Sequence, residues 1–528
     1  MREIPNWPGV TAMRRAASRR TRAVGSIGLI LMFLALCGRS LDYPLKRDEN
    51  LFITSSVLGG FSNLYAELGY NHLPYLPWLL GTVYRLTGTD HYLLVGRLVM
   101  LIGWAALVLA LFLIARRQHA GFAAFCACAV LLLGNTLLLG QPGMLVSNNL
   151  LPLPAVMFSL YALLKGIDAE RPSTLSCLIS GFLVSIAVGL KANYIFVAPV
   201  IALATVLAPA GRPLATRIWQ QSLPLIAGGV LGGLPILVLM VSAPEPFFAH
   251  TLRYFTQLQV AYWSHAPEPA VMSPAHKALL AEEIWGAGTS MLALAGVAML
   301  LALLTVRGGW RETGRVLRAW PMLLIGALIA CGIIVSFVPK PSFPQYFVPP
   351  VSFVVVSLLL LRGAISRSDA RVADGLLISL AVLGAINSAP RLVPGLLDLV
   401  RPLQWQSMQI HSEMHALAQS AGIEAGETAV TMTPALALEA GFAVAPEFSA
   451  GQFVYRVADY IPARDRPWYT TTSPRHLEKF LKQRRPAAII VSGEEELERP
   501  LETFARSNGY REFSIASRSG GPKLFRRP

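Results

Sequence analysis

A polytopic α-helical membrane protein with a small C-terminal α/β domain is the fold class this sequence predicts, and three observations predict it. Of the 528 residues, 54% are hydrophobic and 14% charged, and mean hydropathy is +0.51, outside the range of ordinary soluble domains. Apolar stretches approaching the roughly 20 residues needed to cross a hydrocarbon core recur through most of the chain. Past residue 391 they stop, and short strand-like and helix-like patterns alternate, the signature of an α/β unit.

Eleven spans are expected, at 24–42, 93–115, 120–140, 146–164, 174–190, 193–209, 221–241, 287–306, 320–338, 346–362 and 373–389. The first follows Arg14, Arg15, Arg19, Arg20 and Arg22. That is a signal-peptide-like start, but no small-residue cleavage site comes after it, so it reads as a retained helix behind a cytoplasmic tail, 1–23. The stretch 73–88 is broken by Pro74, Pro77 and Arg85. It reads as a helix lying at the interface, with Tyr75, Trp78 and Tyr84 as boundary anchors. The expected domains are thus 1–23, a membrane unit at 24–390 and an extracytoplasmic domain at 391–528.

The formal charge of +15 resides largely in short basic clusters between apolar segments. With the N-terminus inside, these clusters all fall on one side: Arg116 and Arg117, Lys165 with Arg171, Arg212 with Arg217, Arg307 to Arg318, and Arg362 to Arg371. This is the cytoplasmic pattern, and it accounts for the charge without nucleic acid. The other side receives the Asp48–Glu49 loop, the turn 141–146, Lys191, the long loop 242–286, the segment 339–345 and the C-terminal domain. The five cysteines lie in or beside apolar segments, so the C-terminal domain must hold together by a core rather than by disulfides.

In that domain, helices are expected at 405–421, 434–440, 474–484 and, opened by a Ser492-Gly493-Glu494-Glu495 capping box, to about 508. Strands are expected at 428–432, 487–491, 510–517 and 523–526. The domain carries no Gly-rich phosphate loop and reads as a lid, an acceptor-binding surface or a scaffold.

The polar residues of the outer side are Lys46, Arg47, Asp48, Glu49, His72, Asn148, Asn149, Lys191, His250, Arg253, Lys340, Gln345 and Tyr346. If the spans bundle, these loop ends converge on one cavity holding carboxylates and several cations. Such a cavity suits transfer of a sugar from a lipid phosphate. Cations hold the phosphate, a carboxylate takes the proton of an attacking hydroxyl, and the cations stabilise the departing charge. For each residue the plainer role stands beside this one: Asp48 as solvated loop charge, Lys191 as a topological charge, the histidines as interfacial polar groups.

Four motifs resemble the GT-C membrane glycosyltransferases, in particular the protein O-mannosyltransferase, aminoarabinose transferase and rhizobial galacturonosyltransferase group. They are Arg47-Asp48-Glu49 after the first span; Asn71-His72-Leu73-Pro74-Tyr75-Leu76-Pro77-Trp78 with Gly96-Arg97-Leu98; Gly189-Leu190-Lys191; and Phe343-Pro344-Gln345-Tyr346. The resemblance covers about 24–390. It implies a polyprenyl-phosphate sugar donor, a lipid, glycan or protein acceptor, contact with membrane lipids, and a place in the cell inner membrane serving envelope glycan such as lipopolysaccharide. It implies Asp48 as the catalytic base with inversion, and Glu49 as a second catalytic-site acid that supports it or helps to position the acceptor. Lys191, Arg253 and Lys340 would contact the phosphate, and Tyr346 would line the donor groove. His72 and His250 are candidates for acceptor or metal contact. No cofactor is required, and a divalent ion shared by Glu49, His72 or His250 is the one metal arrangement considered. Asn148-Asn149 and Leu73 depart from the family, standing where many relatives carry an acid and some a basic residue. Two other classes are a transporter or lipid flippase, which predicts charges at mid-membrane depth, and a non-catalytic scaffold.

Overall fold

The computed structural model describes residues 8–61, 63–168, 170, 172–266, 269–493, 496–514 and 521–528, with the backbone alone at 8–21, 269 and 270. Glu494 and Glu495 of the expected capping box, residues 515–517 of an expected strand, and Arg171 of a basic cluster lie outside the described residues, as do the side chains of Arg14, Arg15, Arg19 and Arg20.

Each of the eleven expected spans meets an apolar helix. Six are long and apolar enough to cross a membrane: Arg22–Leu41, Tyr92–Arg117, Leu214–Ser242, Gly288–Arg318, Pro344–Ala364 and Ala370–Leu399. Five are shorter: Phe122–Leu133, Pro152–Gly166, Thr174–Leu190, Ala192–Leu207 and Trp320–Ser336. The first helix begins at Pro8, so the described part of the expected tail continues the span as helix. The last passes through Pro390 and Pro394 to Leu399, which places the expected boundary at 391 inside it. Close packing between helices uses small residues, as is usual where both partners are apolar. A Cβ on Gly181 would lie 1.8 Å from the carbonyl oxygen of Leu225, and one on Gly228 would lie 1.9 Å from that of Leu178. Those two glycines let the helices Thr174–Leu190 and Leu223–Ser242 touch backbone to backbone.

The stretch 73–88 is a helix, Tyr75–Thr87, ended by Gly88 in the left-handed conformation at φ 61°. Two of its expected boundary anchors have another role. Tyr75 and Tyr84 are buried; the Tyr75 hydroxyl donates to the carbonyl of Gly232, and its ring lies where a Cβ on Gly189 would stand. Buried and interfacial tyrosines look alike in sequence, because both pair an apolar ring with a polar tip.

The loops sort into two ends. At the end with the basic clusters, Arg117 pairs with Asp168, Arg212 donates to the Asp168 carbonyl at 2.6 Å, and Arg362 grips Asp374 through two bonds of 2.6 and 3.1 Å. The other set of loops gathers at a cavity described below.

The C-terminal unit carries a five-stranded sheet of order β2-β1-β3-β5-β4. Its strands are β1 Thr428–Thr431, β2 Ala443–Val444, β3 Ala488–Val491, β4 Arg511–Ser514 and β5 Lys523–Arg526. β1 runs parallel to β2 and β3, while β5 is antiparallel to β3 and β4. Side chains alternate across a sheet, and here the alternation divides the domain between two cores. Ile489, Val491, Val430 and Phe525 pack with Phe448, Leu481, Leu501 and Phe504 in a core of the domain's own. Ala488, Ile490, Ala429 and Leu524 belong to the core continuous with the membrane helices. Asn50 and Ser449 add polar ties. Asn50 Oδ1 accepts from the Ala435 N–H at 3.1 Å, and Ser449 Oγ donates to the Leu68 carbonyl at 2.6 Å.

Candidate active site

The polar helix Arg47–Leu58 organises the site. Glu49, at its third position, accepts from the Lys46 backbone N–H at 3.2 Å, satisfying one of the donors that a helix N-terminus leaves open. The same carboxylate receives Arg97 in a two-pronged contact, Nε to Oε1 at 3.1 Å and Nη2 to Oε2 at 3.0 Å, and the Val146 N–H at 3.0 Å. Arg97 also donates to the carbonyls of Ser40, Leu41 and Tyr43. Both side chains are fully buried. Glu49 is thereby a structural anchor that locks the helix to the span Tyr92–Arg117, and it does not line the cavity. Its oxygens are already spent on fixed donors, which leaves direct contact of Glu49 with an acceptor without a geometric basis and leaves it the role of supporting the helix that carries Asp48.

Asp48, one position earlier, turns the other way. It lines a cavity of about 1460 Å³ with Asn71, His72, Asn148, Asn149, Lys191, Tyr346 and Arg456. The loops that meet there are those following alternate spans, together with the C-terminal domain. Burial raises the Asp48 carboxyl above its usual range; the Lys191 charge opposes that rise, Glu49 reinforces it, and Arg456 and Arg47 oppose it further. Burial likewise pushes the Lys191 ammonium down to about 8, against the pull of Asp48. Lys191 closes the helix Thr174–Leu190 and donates to Asn149 Oδ1 at 2.5 Å, while its Nζ stands 5.5 Å from the centre of the Tyr346 ring. Asn149 thus presents the lysine.

The remaining expectations divide. His72 lines the cavity, its Nδ1–H donating to Asn71 Oδ1 at 2.7 Å; burial, then Lys191, pushes it down to about 3, so it stays neutral. Tyr346 lines the cavity too. His250 does not. It is fully buried, with Nε2–H donating to the Trp468 carbonyl at 2.7 Å, and burial pushes it down to about 4. Arg253 also lies off the cavity, its charge taken by Glu245 at 3.0 Å and Asp465 at 3.3 Å. Lys340 is exposed and away from the cavity. Those placements remove the geometric basis for His250 as an acceptor contact and for Arg253 and Lys340 as phosphate contacts. Glu49, His72 and His250 do not form a metal-ligand group among the described residues.

Arg456 is the residue that sequence reasoning missed. It comes from the helix Gln452–Val457 of the C-terminal domain and lies buried among aromatic rings, 5.5, 5.4 and 5.2 Å from the centres of Tyr262, Trp263 and Phe453. Its Nε is buried without a hydrogen-bond partner, as is Nδ2 of Asn148. Buried polar atoms usually find partners, so these two donors, on residues that line the cavity, are open to a ligand there. Only the basic-among-aromatic pattern of Phe453, Tyr455 and Arg456 hinted at it.

The arrangement is a chamber in which the Asp48 carboxylate shares the wall with Lys191 and Arg456, cations from opposite sides of the domain junction, and the wall also carries Asp42, Asp398 and Glu413 beside Lys46, Arg47 and Arg401.

Comparison with known proteins agrees with this architecture. The family model for dolichyl-phosphate-mannose-protein mannosyltransferase matches residues 71–241. No curated protein matches the chain by sequence. Among solved structures, ArnT from Cupriavidus metallidurans bound to undecaprenyl phosphate is similar with a TM-score of 0.55 at 15% identity, over 95% of this chain and 96% of that one. The apo state of the same protein gives 0.53 at 14%, over 97% and 98%. The sequence-based resemblance is borne out at the level of architecture: this chain is a multi-pass membrane protein with the GT-C fold.

Proposed function

We propose that this protein is an integral-membrane glycosyltransferase that moves a sugar from a polyprenyl-phosphate donor to an extracytoplasmic acceptor, with Asp48 as general base. The observation that carries the reading is the meeting of Asp48, Lys191 and Arg456 on one cavity. The match to the mannosyltransferase model and the likeness to a protein bound to undecaprenyl phosphate support the donor class.

In this reading the acceptor hydroxyl oxygen attacks the anomeric carbon as the bond from that carbon to the phosphate oxygen breaks. Asp48 takes the hydroxyl proton. The lipid phosphate leaves with the bonding pair, and Lys191 and Arg456 hold its charge. A single displacement inverts the anomeric centre. Burial raises the Asp48 carboxyl and so strengthens it as a base, while the neighbouring Lys191 charge opposes that rise by favouring the ionised form. In this reading the cavity lies outside the cytoplasm, where a membrane-borne donor is at hand; the basic clusters on the opposite set of loops support that orientation.

The test is transfer from radiolabelled polyprenyl-phosphate sugar by Asp48→Asn, an isosteric change that removes the base. Loss of transfer with donor binding retained supports the reading; transfer at the parental rate ends it.

A further inference from the structure

On the face of the helix Gln406–Ala421 turned away from the cavity, His411 and His415 stand one turn apart, so their rings share one side. The loop carrying Asp90, between Tyr75–Thr87 and Tyr92–Arg117, meets them there. One ligand atom from each of the three lies within 4.8 Å of the other two, the one such group of His, Cys, Asp or Glu among the described residues.

The geometry points to a zinc-class divalent cation site formed by Asp90, His411 and His415, which pins the helix Gln406–Ala421 of the C-terminal domain to the membrane unit.

Two further observations point to a ligand. The first is Glu439, 1% exposed. Its Oε2 accepts from His411 Nδ1–H at 2.8 Å, and its Oε1 accepts from the Leu93 N–H at 2.7 Å. A buried carboxylate on one ring nitrogen fixes the tautomer and leaves Nε2 with its lone pair outward, the usual support behind a metal-bound imidazole. The second is His91, stacked on His411 with ring centres 3.6 Å apart and 26° between planes. It braces the ring that Glu439 orients, and its Nδ1 is buried without a partner.

Two imidazoles and one carboxylate suit zinc and its transition-metal neighbours, whereas calcium and magnesium prefer all-oxygen shells. Ligand atoms about 2.1 Å from a tetrahedral centre stand about 3.4 Å apart, a spacing reached from this group by small side-chain rotations. Water from the exposed Asp90 side completes four-coordination. The other face of the same helix supplies Gln409, Ile410, Glu413 and Met414 to the cavity wall, so the ion sets the position of that wall without touching the reacting atoms.

The experiment uses the full-length chain without a histidine tag, in detergent, stripped with chelator and titrated with zinc chloride by calorimetry, with bound metal counted by mass spectrometry. The expected result is one zinc per chain and a raised unfolding temperature. His415→Gln and Asp90→Asn should each weaken binding at least 10-fold, and His72→Ala should not. His72→Ala separates this site from any cation in the cavity. Asp90 is exposed, so its variant keeps the test valid if a histidine variant fails to fold. Absence of stoichiometric zinc, or equal binding by the parent and Asp90→Asn, overturns the proposal.

Discussion

The two ends of the helix bundle handle charge in opposite ways. At the basic end, cations meet acids in ordinary pairs: Arg117 with Asp168, Arg362 with Asp374, and Arg307 with Asp369 at 3.6 Å. At the cavity end, Asp48, Lys191 and Arg456 face a common hollow, and polar atoms of Arg456 and Asn148 lack partners. Pairing at the first end leaves those charges matched. Incomplete satisfaction at the second costs stability, and such sites persist where they do chemistry. The lesson is sharpest at two adjacent residues: Glu49 is fully engaged and Asp48 is not, although both are acids on the first turn of one helix.

Exchanging those acids one at a time should break the comparison most visibly. Asp48→Asn should lower sugar transfer about 100- to 10,000-fold, the usual contribution of a positioned base, while leaving thermal unfolding nearly unchanged. Glu49→Gln should do the reverse first. It strands the buried Arg97 charge, a loss of about 3–5 kcal/mol, read as a marked drop in unfolding temperature and in folded yield. If Glu49→Gln were stable yet inactive, the division of roles would be wrong.

Removing a cation is expected to cost less. Lys191→Ala or Arg456→Ala should lower transfer by about 100- to 1,000-fold, as for a lost charge-stabilising donor. The pH profile of kcat/KM sharpens the point. In the proposed reaction Asp48 must be deprotonated, and its carboxyl is raised by burial, so the acid limb should fall at higher pH than for an ordinary carboxylate. In the same proposal Lys191 must be protonated, and it is pushed down to about 8, so activity should decline as pH climbs through that value. Lys191→Arg, which stays charged, should move the alkaline limb upward. The smallest effect belongs to the basic end: Arg307→Ala should change stability by less than about 1 kcal/mol, since the Arg307 side chain is 59% exposed and such pairs contribute little.

Much of this was legible in the sequence. Spans announce themselves by local hydropathy, and all eleven met helices. Charge alternation sorted the loops, and Asp48, Lys191, His72 and Tyr346 did come together. What failed was anything requiring knowledge of partners. Glu49 has Arg97 as its partner, forty-eight positions away. Arg253 is neutralised by Asp465 from the last part of the chain. Arg456 was hidden because its domain has no motif of its own. A side chain's type is local, but whether its charge is already taken is a property of the fold.

The division of the sheet's two faces between separate cores has a practical corollary. A protein cut after its last long helix would keep its spans but lose Arg456, the wall from the helix Gln406–Ala421, and the apolar surface that shields both. The C-terminal unit therefore cannot be traded between chains as an independent cassette: whoever swaps it also rebuilds a large part of the cavity wall.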